Sequence, residues 1–288
     1  RLTSCLVNPS ACNEREFEYK AINKNSKSIA IVGSGAAGIA AALTARERGC
    51  RVSLFEMKSE IGGQLNLASK IPGKEEFLGL LEYYKNEISR RGVDLYLNYN
   101  ISAVKLRTFD EVVIATGVIP RKVNFKIFDK SRVVSYVDIL QGNIIAGKNV
   151  AILGAGGIGF DVATFLVNDK PSSTLDLDEW LREWGVVDPE IARGGLSPDG
   201  PTLVMPNRNV SLFQRKKEKI GRRLGKTTGW IHRESLNKKN VKMVSGVNYE
   251  KITSDGLTIS YGEERKNLQT LWFDTIIICA GQEPERSL

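Results

Sequence analysis

Ser28-Ile29-Ala30-Ile31-Val32 followed by Gly33-Ser34-Gly35-Ala36-Ala37-Gly38 is the stretch that decides the fold of this chain. A short apolar run of strand length leads into a G-x-G-x-x-G turn, and Ile39 to Arg48 then has the composition of a helix. In such a unit the first glycine permits the tight turn, the second admits a diphosphate, and the third lets the helix pack on the strand. The helix N-terminus offers N–H groups to the anion. We therefore predict a dinucleotide site here.

The same pattern occurs a second time along the chain. Asn149-Val150-Ala151-Ile152-Leu153 leads into Gly154-Ala155-Gly156-Gly157-Ile158-Gly159, and a helix is expected over 160–167. One such turn is weak evidence, whereas two turns in a strand–turn–helix context indicate two dinucleotide sites. Two dinucleotides bound to one chain indicate an oxidoreductase that passes electrons between them.

The residues at the end of the second strand of each unit distinguish the two dinucleotides. Glu56 ends the strand of the first unit, at about the spacing of a carboxylate that binds ribose hydroxyls. A carboxylate repels a 2′-phosphate, so the first site favours FAD or NAD. Gln214 takes the equivalent place in the second unit and is followed by Arg215 and Lys216. Because guanidinium groups grip phosphates in a bidentate manner, the second site is predicted to bind NADPH.

Three short segments complete the predicted sites and favour FAD over NAD at the first. Gly62-Gly63-Gln64 follows Glu56, and its small residues allow a flavin to approach the backbone. Ala115-Thr116-Gly117 and Ala280-Gly281 each follow a predicted strand. The predicted cofactor-binding residues are Gly33, Gly35, Ala36, Ala37, Gly38, Glu56, Gly63, Gln64, Thr116, Gly117, Gly154, Gly156, Gly157, Ile158, Gly159, Arg215, Lys216, Ala280 and Gly281.

Composition and charge exclude several other functions. The chain has 288 residues, a net charge of +8 and 42% apolar residues. Basic and acidic residues alternate and no recognition motif accompanies the charge, which argues against nucleic acid. No apolar run has the ~18–20 residues of a membrane helix, and no secretory signal is visible. The four cysteines contain no C-x-x-C pair, which favours a reducing, cytoplasmic compartment. His232, the single histidine, completes no Ser-His-Asp set.

The pattern predicts an α/β fold with two Rossmann-like dinucleotide-binding domains, built as three-layer sheets with a β-meander. Residues 1–26 are read as a linker from an upstream region. The FAD domain is expected at 27–120 plus 275–288, with the NADPH domain, 121–274, inserted between them. Strands are predicted at 28–32, 51–56, 94–98, 111–115, 149–153, 210–214, 241–245, 249–252, 257–261 and 275–279, and helices at 36–48, 74–91, 136–141 and 160–167.

Several longer motifs are specific enough to carry a family resemblance. They are Ser4-Cys5-Leu6-Val7-Asn8-Pro9 with Ala11-Cys12, Gly62-Gly63-Gln64, Ile71-Pro72-Gly73-Lys74-Glu75-Glu76-Phe77, Gly156-Gly157-Ile158-Gly159-Phe160-Asp161, Gly194-Gly195-Leu196-Ser197-Pro198, Gly225-Lys226-Thr227-Thr228-Gly229-Trp230-Ile231-His232-Arg233 and Ile278-Cys279-Ala280-Gly281-Gln282-Glu283-Pro284. Together they closely resemble the bacterial NADPH-dependent 2,4-dienoyl-CoA reductases over nearly the whole chain.

The resemblance implies the FAD and NADPH domains of a three-part enzyme. In that family an N-terminal barrel holds FMN and the 2,4-dienoyl-CoA substrate, and a [4Fe–4S] cluster lies between the barrel and the FAD domain. Electrons pass from NADPH through FAD and the cluster to FMN. Cys5 matches one cluster ligand, and Cys12 matches a cysteine that is not a ligand. The barrel, the other cluster cysteines and a final FAD contact after Leu288 lie outside the chain, so no catalytic residue is expected within it.

Three other interpretations stay open at this stage. The first is a relative of the trimethylamine dehydrogenase type with a vestigial second site, against which Arg215 and the intact second turn argue. The second is a disulfide reductase of the thioredoxin reductase type, against which the missing cysteine pair argues. The third is a nucleotide-binding scaffold without turnover. The acyl chain preference and the oligomeric state are not indicated by the sequence.

Overall fold

The computed structural model describes residues 4–5, 7–18, 27–168 and 171–288. Of the predicted linker 1–26, only 4–5 and 7–18 fall within these residues. The chain divides into two compact units. The first contains the described residues up to Ser69 together with Glu75–Ile119 and Glu283–Leu288, and the second contains Lys70–Lys74 and Pro120–Gln282.

The first unit is built on a four-stranded parallel sheet with the strand order β3-β2-β1-β4. Its helices α1 and α3 cover one face, where apolar residues of both helices are buried. A further short strand, β5, leads out of the unit. The elements are β1 (Ser28–Val32), α1 (Ala36–Glu47), β2 (Arg51–Phe55), α2 (Leu65–Ala68), α3 (Phe77–Arg90), β3 (Asp94–Tyr96), α4 (Ala103–Leu106), β4 (Glu111–Ile114) and β5 (Val118–Pro120).

The sequence pattern explains why these elements form. Ile31 and Leu54 alternate with residues of the other face along β1 and β2, and both are fully buried beneath α1. On α3, Leu80, Tyr84 and Ile88 recur at helical spacing and are buried in the same cluster. Each fully buried side chain of this size contributes about 1.5–3 kcal/mol. This cluster holds the helix N-terminus of α1 against the ends of the strands.

The second unit contains a five-stranded parallel sheet and a smaller antiparallel sheet. The parallel sheet has the order β10-β9-β8-β14-β7, and the antiparallel meander β11-β12-β13 carries β6 at its edge. The elements are β6 (Lys126–Ile127), β7 (Val133–Ser135), α5 (Tyr136–Gln141), β8 (Asn149–Leu153), α6 (Gly157–Leu166), α7 (Leu177–Trp184), β9 (Asn209–Gln214), α8 (Gly229–Lys238), β10 (Lys242–Ser245), β11 (Val247–Thr253), β12 (Gly256–Tyr261), β13 (Lys266–Leu271) and β14 (Thr275–Ile278). The last strand of the chain, β15 (Gln282–Pro284), begins at the last residue of the second unit and pairs with β5.

The meander covers one face of the parallel sheet and forms the core of the second unit. Leu153, Phe213 and Ile276 from the parallel strands pack with Ile252 and Leu257 from the meander. Helix α6 packs on β8 and β9. The predicted α/β fold with parallel sheets and a β-meander is therefore confirmed.

Two sequence-based assignments differ from the structure. Residues 241–245 were expected in the meander, but β10 pairs in parallel with β9 at the edge of the large sheet. Residues 275–288 were expected in the first domain, yet β14 lies between β8 and β7 of the second unit. Only Glu283–Leu288 belongs to the first unit. An apolar run such as Ile276-Ile277-Ile278 fits any buried parallel strand, so the pattern does not reveal which sheet it joins.

Candidate functional site

The two glycine turns have the same geometry at their first glycine. Gly33 has φ +100° and Gly154 has φ +120°, conformations that side chains strongly disfavour. A Cβ at Gly33 would lie 2.3 Å from the carbonyl oxygen of Ala115, and one at Gly154 would lie 2.3 Å from that of Cys279. Each turn is therefore closed against the segment that follows the neighbouring parallel strand, and only glycine fits there.

The third glycine of each turn is fixed by packing of the helix on its own turn. A Cβ at Gly38 would lie 1.8 Å from the carbonyl oxygen of Gly33, and one at Gly159 would lie 1.9 Å from that of Gly154. Both contacts involve backbone atoms that have little freedom to move. The close approach of helix to strand expected from the sequence is thus present in both units.

The second glycine of each turn has open space where a side chain would be. A Cβ at Gly35 or Gly156 would have nothing within 4 Å, and both residues have ordinary negative φ values. Ala36 and Ala37 then open α1, and Gly157 and Ile158 open α6, so free backbone N–H groups of each first turn point outward. The open space and these donors could hold a diphosphate at each turn.

The carboxylate of Glu56 organises the first site from the end of β2. One of its oxygens accepts hydrogen bonds from the backbone N–H of Ser34 (2.9 Å) and from the Ser34 hydroxyl (2.8 Å). The other accepts from the N–H of Lys58 at 2.9 Å. The side chain is 8% exposed and Ser34 is fully buried. A carboxylate has about four acceptor positions, so one remains for a ribose hydroxyl.

Ser34 was not among the sequence-predicted residues. It occupies the variable position directly after the first glycine, and a hydroxyl there had no evident partner in the sequence. A small polar residue between two turn glycines, combined with a carboxylate at the end of the next strand, is the signal that could have indicated it.

The predicted loop after Glu56 lies against the first turn. Gly62 forms an isolated bridge with Gly35, and its N–H donates to the carbonyl of Ser34 at 2.8 Å. A Cβ at Gly63 would lie 3.1 Å from the Cα of Gly35. Gln64 is exposed beside them, at the start of α2. The structure therefore brings the Gly-Gly-Gln loop and the first turn together.

The predicted residues Thr116 and Gly117, which follow β4, are held by hydrogen bonds to the segment Glu283–Leu288. The hydroxyl of Thr116 donates to the carbonyl of Glu285 at 2.9 Å, and the N–H of Glu285 donates to the carbonyl of Gly117 at 3.0 Å. Thr116 also follows Ala115, whose carbonyl closes the first turn. Both residues thus lie at the carboxyl edge of the first sheet, beside Gly33.

The end of β9 in the second unit differs from the end of β2, as the sequence predicts. The Gln214 amide turns onto the following loop and donates to the carbonyls of Lys216 (2.9 Å) and Glu218 (2.8 Å). The side chains of Arg215 and Lys216 are exposed. Gln214 therefore shapes the loop that presents these cations, and no carboxylate takes the place that Glu56 has in the first unit.

Tyr249 of β11 is a residue that sequence reasoning missed. Its hydroxyl donates to the carbonyl of Phe213 at 3.0 Å, and the same carbonyl accepts the N–H of Gly154 at 3.0 Å. Burial raises the pKa of the phenol, so it stays protonated and remains a donor. The meander thereby braces the start of the second turn. Nothing in the local sequence of β11 distinguishes this tyrosine from an ordinary core aromatic residue.

The remaining predicted residues of the second site follow β14. The Ala280 nitrogen lies 3.3 Å from the position that a Cβ on Gly154 would take. Gly281 has φ +108°, and the guanidinium of Arg121 lies over it, 3.4 Å from where its Cβ would be. The N–H of Arg121 donates to the carbonyl of Gly281 at 3.0 Å. Arg121 was not predicted from the sequence.

An ion pair links two motifs that the sequence analysis noted only for their resemblance. The Lys74 ammonium donates to both carboxylate oxygens of Asp161 at 2.7 Å. Asp161 lies on α6, and Lys74 belongs to the short segment 70–74 of the second unit. About a third of each side chain is exposed, so the pair is partly shielded from solvent. It anchors this segment on the helix that the second turn opens.

Cys5, the predicted cluster ligand, is exposed, and its sulfur accepts the N–H of Asn8 at 3.5 Å. Backbone hydrogen bonds from Asn8 and Val7 lower the pKa of the thiol, which favours the metal-binding thiolate. A [4Fe–4S] cluster needs four ligands. Across the described part of the chain, no group of three or more Cys, His, Asp or Glu side chains could hold a metal ion. These residues therefore do not form a cluster site by themselves.

Two strand–turn–helix units of matching geometry define a redox protein that binds two dinucleotides. The chain belongs to the pyridine nucleotide-disulphide oxidoreductase family, whose model matches residues 27–288. Membership supports binding of FAD and a nicotinamide dinucleotide. No helix among the described residues is long and apolar enough to cross a membrane.

Proteins similar to this chain include several reductases that are longer than it is. It is 30% identical to a metal reductase of Desulforamulus reducens over 99% of this chain and 42% of the relative. It is 34% identical to a cinnamate reductase of Clostridium sporogenes over 60% of this chain and 26% of the relative. A 2-naphthoyl-CoA reductase in complex with 2-naphthoyl-CoA shares the fold, with a TM-score of 0.77 at 24% identity over 97% of this chain and 37% of that one. The chain thus spans less than half the length of these proteins.

Proposed function

We propose that this chain is the electron-input part of a longer NADPH-dependent reductase of the 2,4-dienoyl-CoA reductase type. The observation that carries the proposal is that two turns of matching geometry are accompanied by different side chains after the second strand of each unit. These are a buried carboxylate at Glu56 after β2 and an exposed guanidinium at Arg215 after β9. The first suits FAD, and the second suits the 2′-phosphate of NADPH.

The first site would hold FAD through the residues around its turn. Gly35 leaves room for the diphosphate, and the N–H groups at the start of α1 face that room. Glu56 keeps an acceptor for a ribose hydroxyl, and Gly63 and Thr116 border the turn. Bound FAD supplies hydride acceptance from a reduced nicotinamide.

The second site would hold NADPH through Gly156, the start of α6 and the loop after β9. Gln214 fixes the carbonyls of that loop, which leaves the guanidinium of Arg215 free to face the solvent side where a 2′-phosphate would bind. A carboxylate in the place of Gln214 would repel the phosphate. The intact geometry of this turn also argues against a relative with a vestigial second site.

The proposed substrate and the remaining cofactors concern parts of the longer protein outside this chain. The names of two similar proteins, cinnamate reductase and 2-naphthoyl-CoA reductase, denote reductases of an unsaturated acid and of an acyl-CoA. With the sequence resemblance, they support 2,4-dienoyl-CoA as the substrate, bound with FMN in another part of the longer protein. Cys5 would contribute one thiolate to a cluster whose other ligands come from that part.

Cofactor specificity tests the proposal directly. Purified chain is loaded with FAD, and flavin bleaching is followed anaerobically while NADPH or NADH is titrated in. Arg215→Ala should weaken NADPH binding by about 10- to 100-fold, the size of one charge-assisted contact of about 1.5–3 kcal/mol. NADH binding should barely change. Lys219→Ala, an exposed cation of the same loop, is the matched control and should leave both affinities unchanged.

Two results would contradict the proposal. Equal losses for NADPH and NADH in Arg215→Ala would show that this residue does not recognise the 2′-phosphate. A chain that takes up no FAD when the cofactor is supplied would exclude the assignment of the first site.

A further inference from the structure

The second unit carries an open cleft of about 800 Å³ whose walls are rich in cations. We call it the basic cleft. The linker before β6, the end of β9 and the meander all contribute to it. Its cationic side chains are Arg121, Lys122, Lys126, Arg215, Lys251 and Arg265.

The charge of the basic cleft is strongly unbalanced. Among the described residues that line it, Glu250 supplies the one carboxylate. That carboxylate accepts the hydroxyl of Ser260 at 2.6 Å and a guanidinium N–H of Arg265 at 3.4 Å, so much of its charge is already compensated. Six cations around one cleft repel one another, and a bound anion relieves this repulsion.

The basic cleft also presents aromatic and apolar surface between its cations. The rings of Phe125 and Tyr249 lie 5.7 Å apart, and the ring of Phe128 is 68% exposed at the wall. Flat aromatic faces beside cations suit a ligand that combines a planar base with phosphate groups. A simple inorganic anion would leave these rings unused.

The basic cleft is continuous with the second turn through three residues. Tyr249 shares the Phe213 carbonyl with the N–H of Gly154, and Ala280 borders Gly154 directly. Both Tyr249 and Ala280 line the cleft. Arg215, which directly follows β9, lines the cleft as well.

We propose that the basic cleft binds an adenine nucleotide that carries a phosphate on its ribose, and that Arg265 recognises this phosphate together with Arg215. The proposal rests on the second turn being a nucleotide site and extends recognition to the meander, a region to which the glycine motif does not point. Two sources share the chemistry: NADP, with a 2′-phosphate, and coenzyme A, with a 3′-phosphate.

Isothermal titration of the whole chain with adenosine 2′,5′-bisphosphate and adenosine 3′,5′-bisphosphate tests the proposal. Arg265→Gln should weaken binding by about 5- to 10-fold, the size of one partly exposed charged contact. Glu250→Gln should strengthen binding by about 2- to 5-fold, because it removes the competing carboxylate and frees Arg265. A misfolded variant cannot produce this gain.

Matched controls come from the ion pair next to Arg265 in sequence. Lys266 and Glu264 pair at 2.6 Å, are each 74% exposed and do not line the basic cleft. Lys266→Gln and Glu264→Gln should leave both affinities unchanged. Equal effects of the cleft and control variants would show only general electrostatics and would overturn the proposal.

The two nucleotides separate the sources of the ligand. Tighter binding of the 2′,5′ form supports NADP as the occupant, and tighter binding of the 3′,5′ form supports coenzyme A. No response of either nucleotide to Arg265→Gln and Glu250→Gln overturns the cleft proposal, even if Arg215→Ala weakens NADPH. Conversely, if Arg215→Ala leaves NADPH binding intact while Arg265→Gln weakens bisphosphate binding, the proposed NADPH specificity of Arg215 fails, whereas recognition of a ribose phosphate by Arg265 is supported.

Discussion

Replacing the second and third glycines of the first turn with alanine should separate ligand binding from folding. Gly35 and Gly38 are three residues apart, yet a methyl group meets opposite surroundings at the two positions. At Gly35 it would have nothing within 4 Å, whereas at Gly38 it would lie 1.8 Å from the carbonyl oxygen of Gly33. We expect Gly35→Ala to impair FAD binding and Gly38→Ala to impair the fold.

The contacts give the size of each effect. The Gly38 methyl would also lie 3.0 Å from the carbonyl carbon of Gly33 and 3.3 Å from the Cβ of Ala115, so helix and strand must separate. Overpacking of this kind costs about 1–3 kcal/mol or more. A loss of 3 kcal/mol lowers the melting temperature by roughly 6–12 °C. Gly35→Ala changes stability by less than about 1 kcal/mol, because a slightly poorer N-cap is offset by reduced unfolded-state entropy.

For FAD binding, in contrast to stability, Gly35→Ala should have a large direct effect. The Gly35 methyl occupies the space left for a diphosphate and keeps it from the N–H groups of α1. Loss of one or two charge-assisted hydrogen bonds of about 1.5–3 kcal/mol each weakens FAD binding by at least about 10-fold. The measurements are thermal unfolding of the cofactor-free chain and titration of FAD by flavin fluorescence.

The control is Gly79→Ala in the interior of α3, where a Cβ also meets nothing within 4 Å. This variant should retain or gain stability and bind FAD normally. If Gly35→Ala bound FAD with wild-type affinity, the open space at this residue would not be the diphosphate position. If Gly38→Ala unfolded at the wild-type temperature, the turn would be looser than its contacts indicate.

Two further predictions concern charge and the N-terminal segment. Hydrogen bonds from Arg90 and Arg91 lower the pKa of Glu87 to about 2 from the usual 4.5. The ionised Glu87 carboxylate therefore stabilises the folded chain fully above pH 4.5, and this stabilisation is lost as the pH falls toward 2. The free energies of unfolding of Glu87→Gln and wild type, taken from denaturation curves, should differ at pH 7 and converge near pH 2. A difference that stays constant over this pH range would contradict the prediction. In the longer protein, Cys5→Ala should lower iron content and spare NADPH-driven flavin bleaching, whereas unchanged iron would exclude Cys5 as a ligand.

The sequence was sufficient to predict those parts of the structure whose geometry depends on a local pattern of residues. Both strand–turn–helix units form where the glycine motifs predict them, and Gly154 and Gly159 have the same surroundings as Gly33 and Gly38. These features depend on residues close together in the chain, so the pattern alone determines them.

Features that depend on distant residues were not predictable. The strand at 242–245 joins the parallel sheet beside β9, a pairing that its short mixed sequence does not specify. Tyr249 reaches Phe213 across 36 residues of chain. No periodicity reports such a contact, since it depends on where the meander docks.

The contrast between the second and third glycines has a consequence for how this family can change over time. Because Gly159 is required by the fold and Gly156 only by a bound diphosphate, a descendant that no longer uses its second dinucleotide would keep the former and accept a side chain at the latter. The identity of a single residue would then record the loss of a cofactor long after the surrounding domain had taken up another role. In this chain both positions are still glycine.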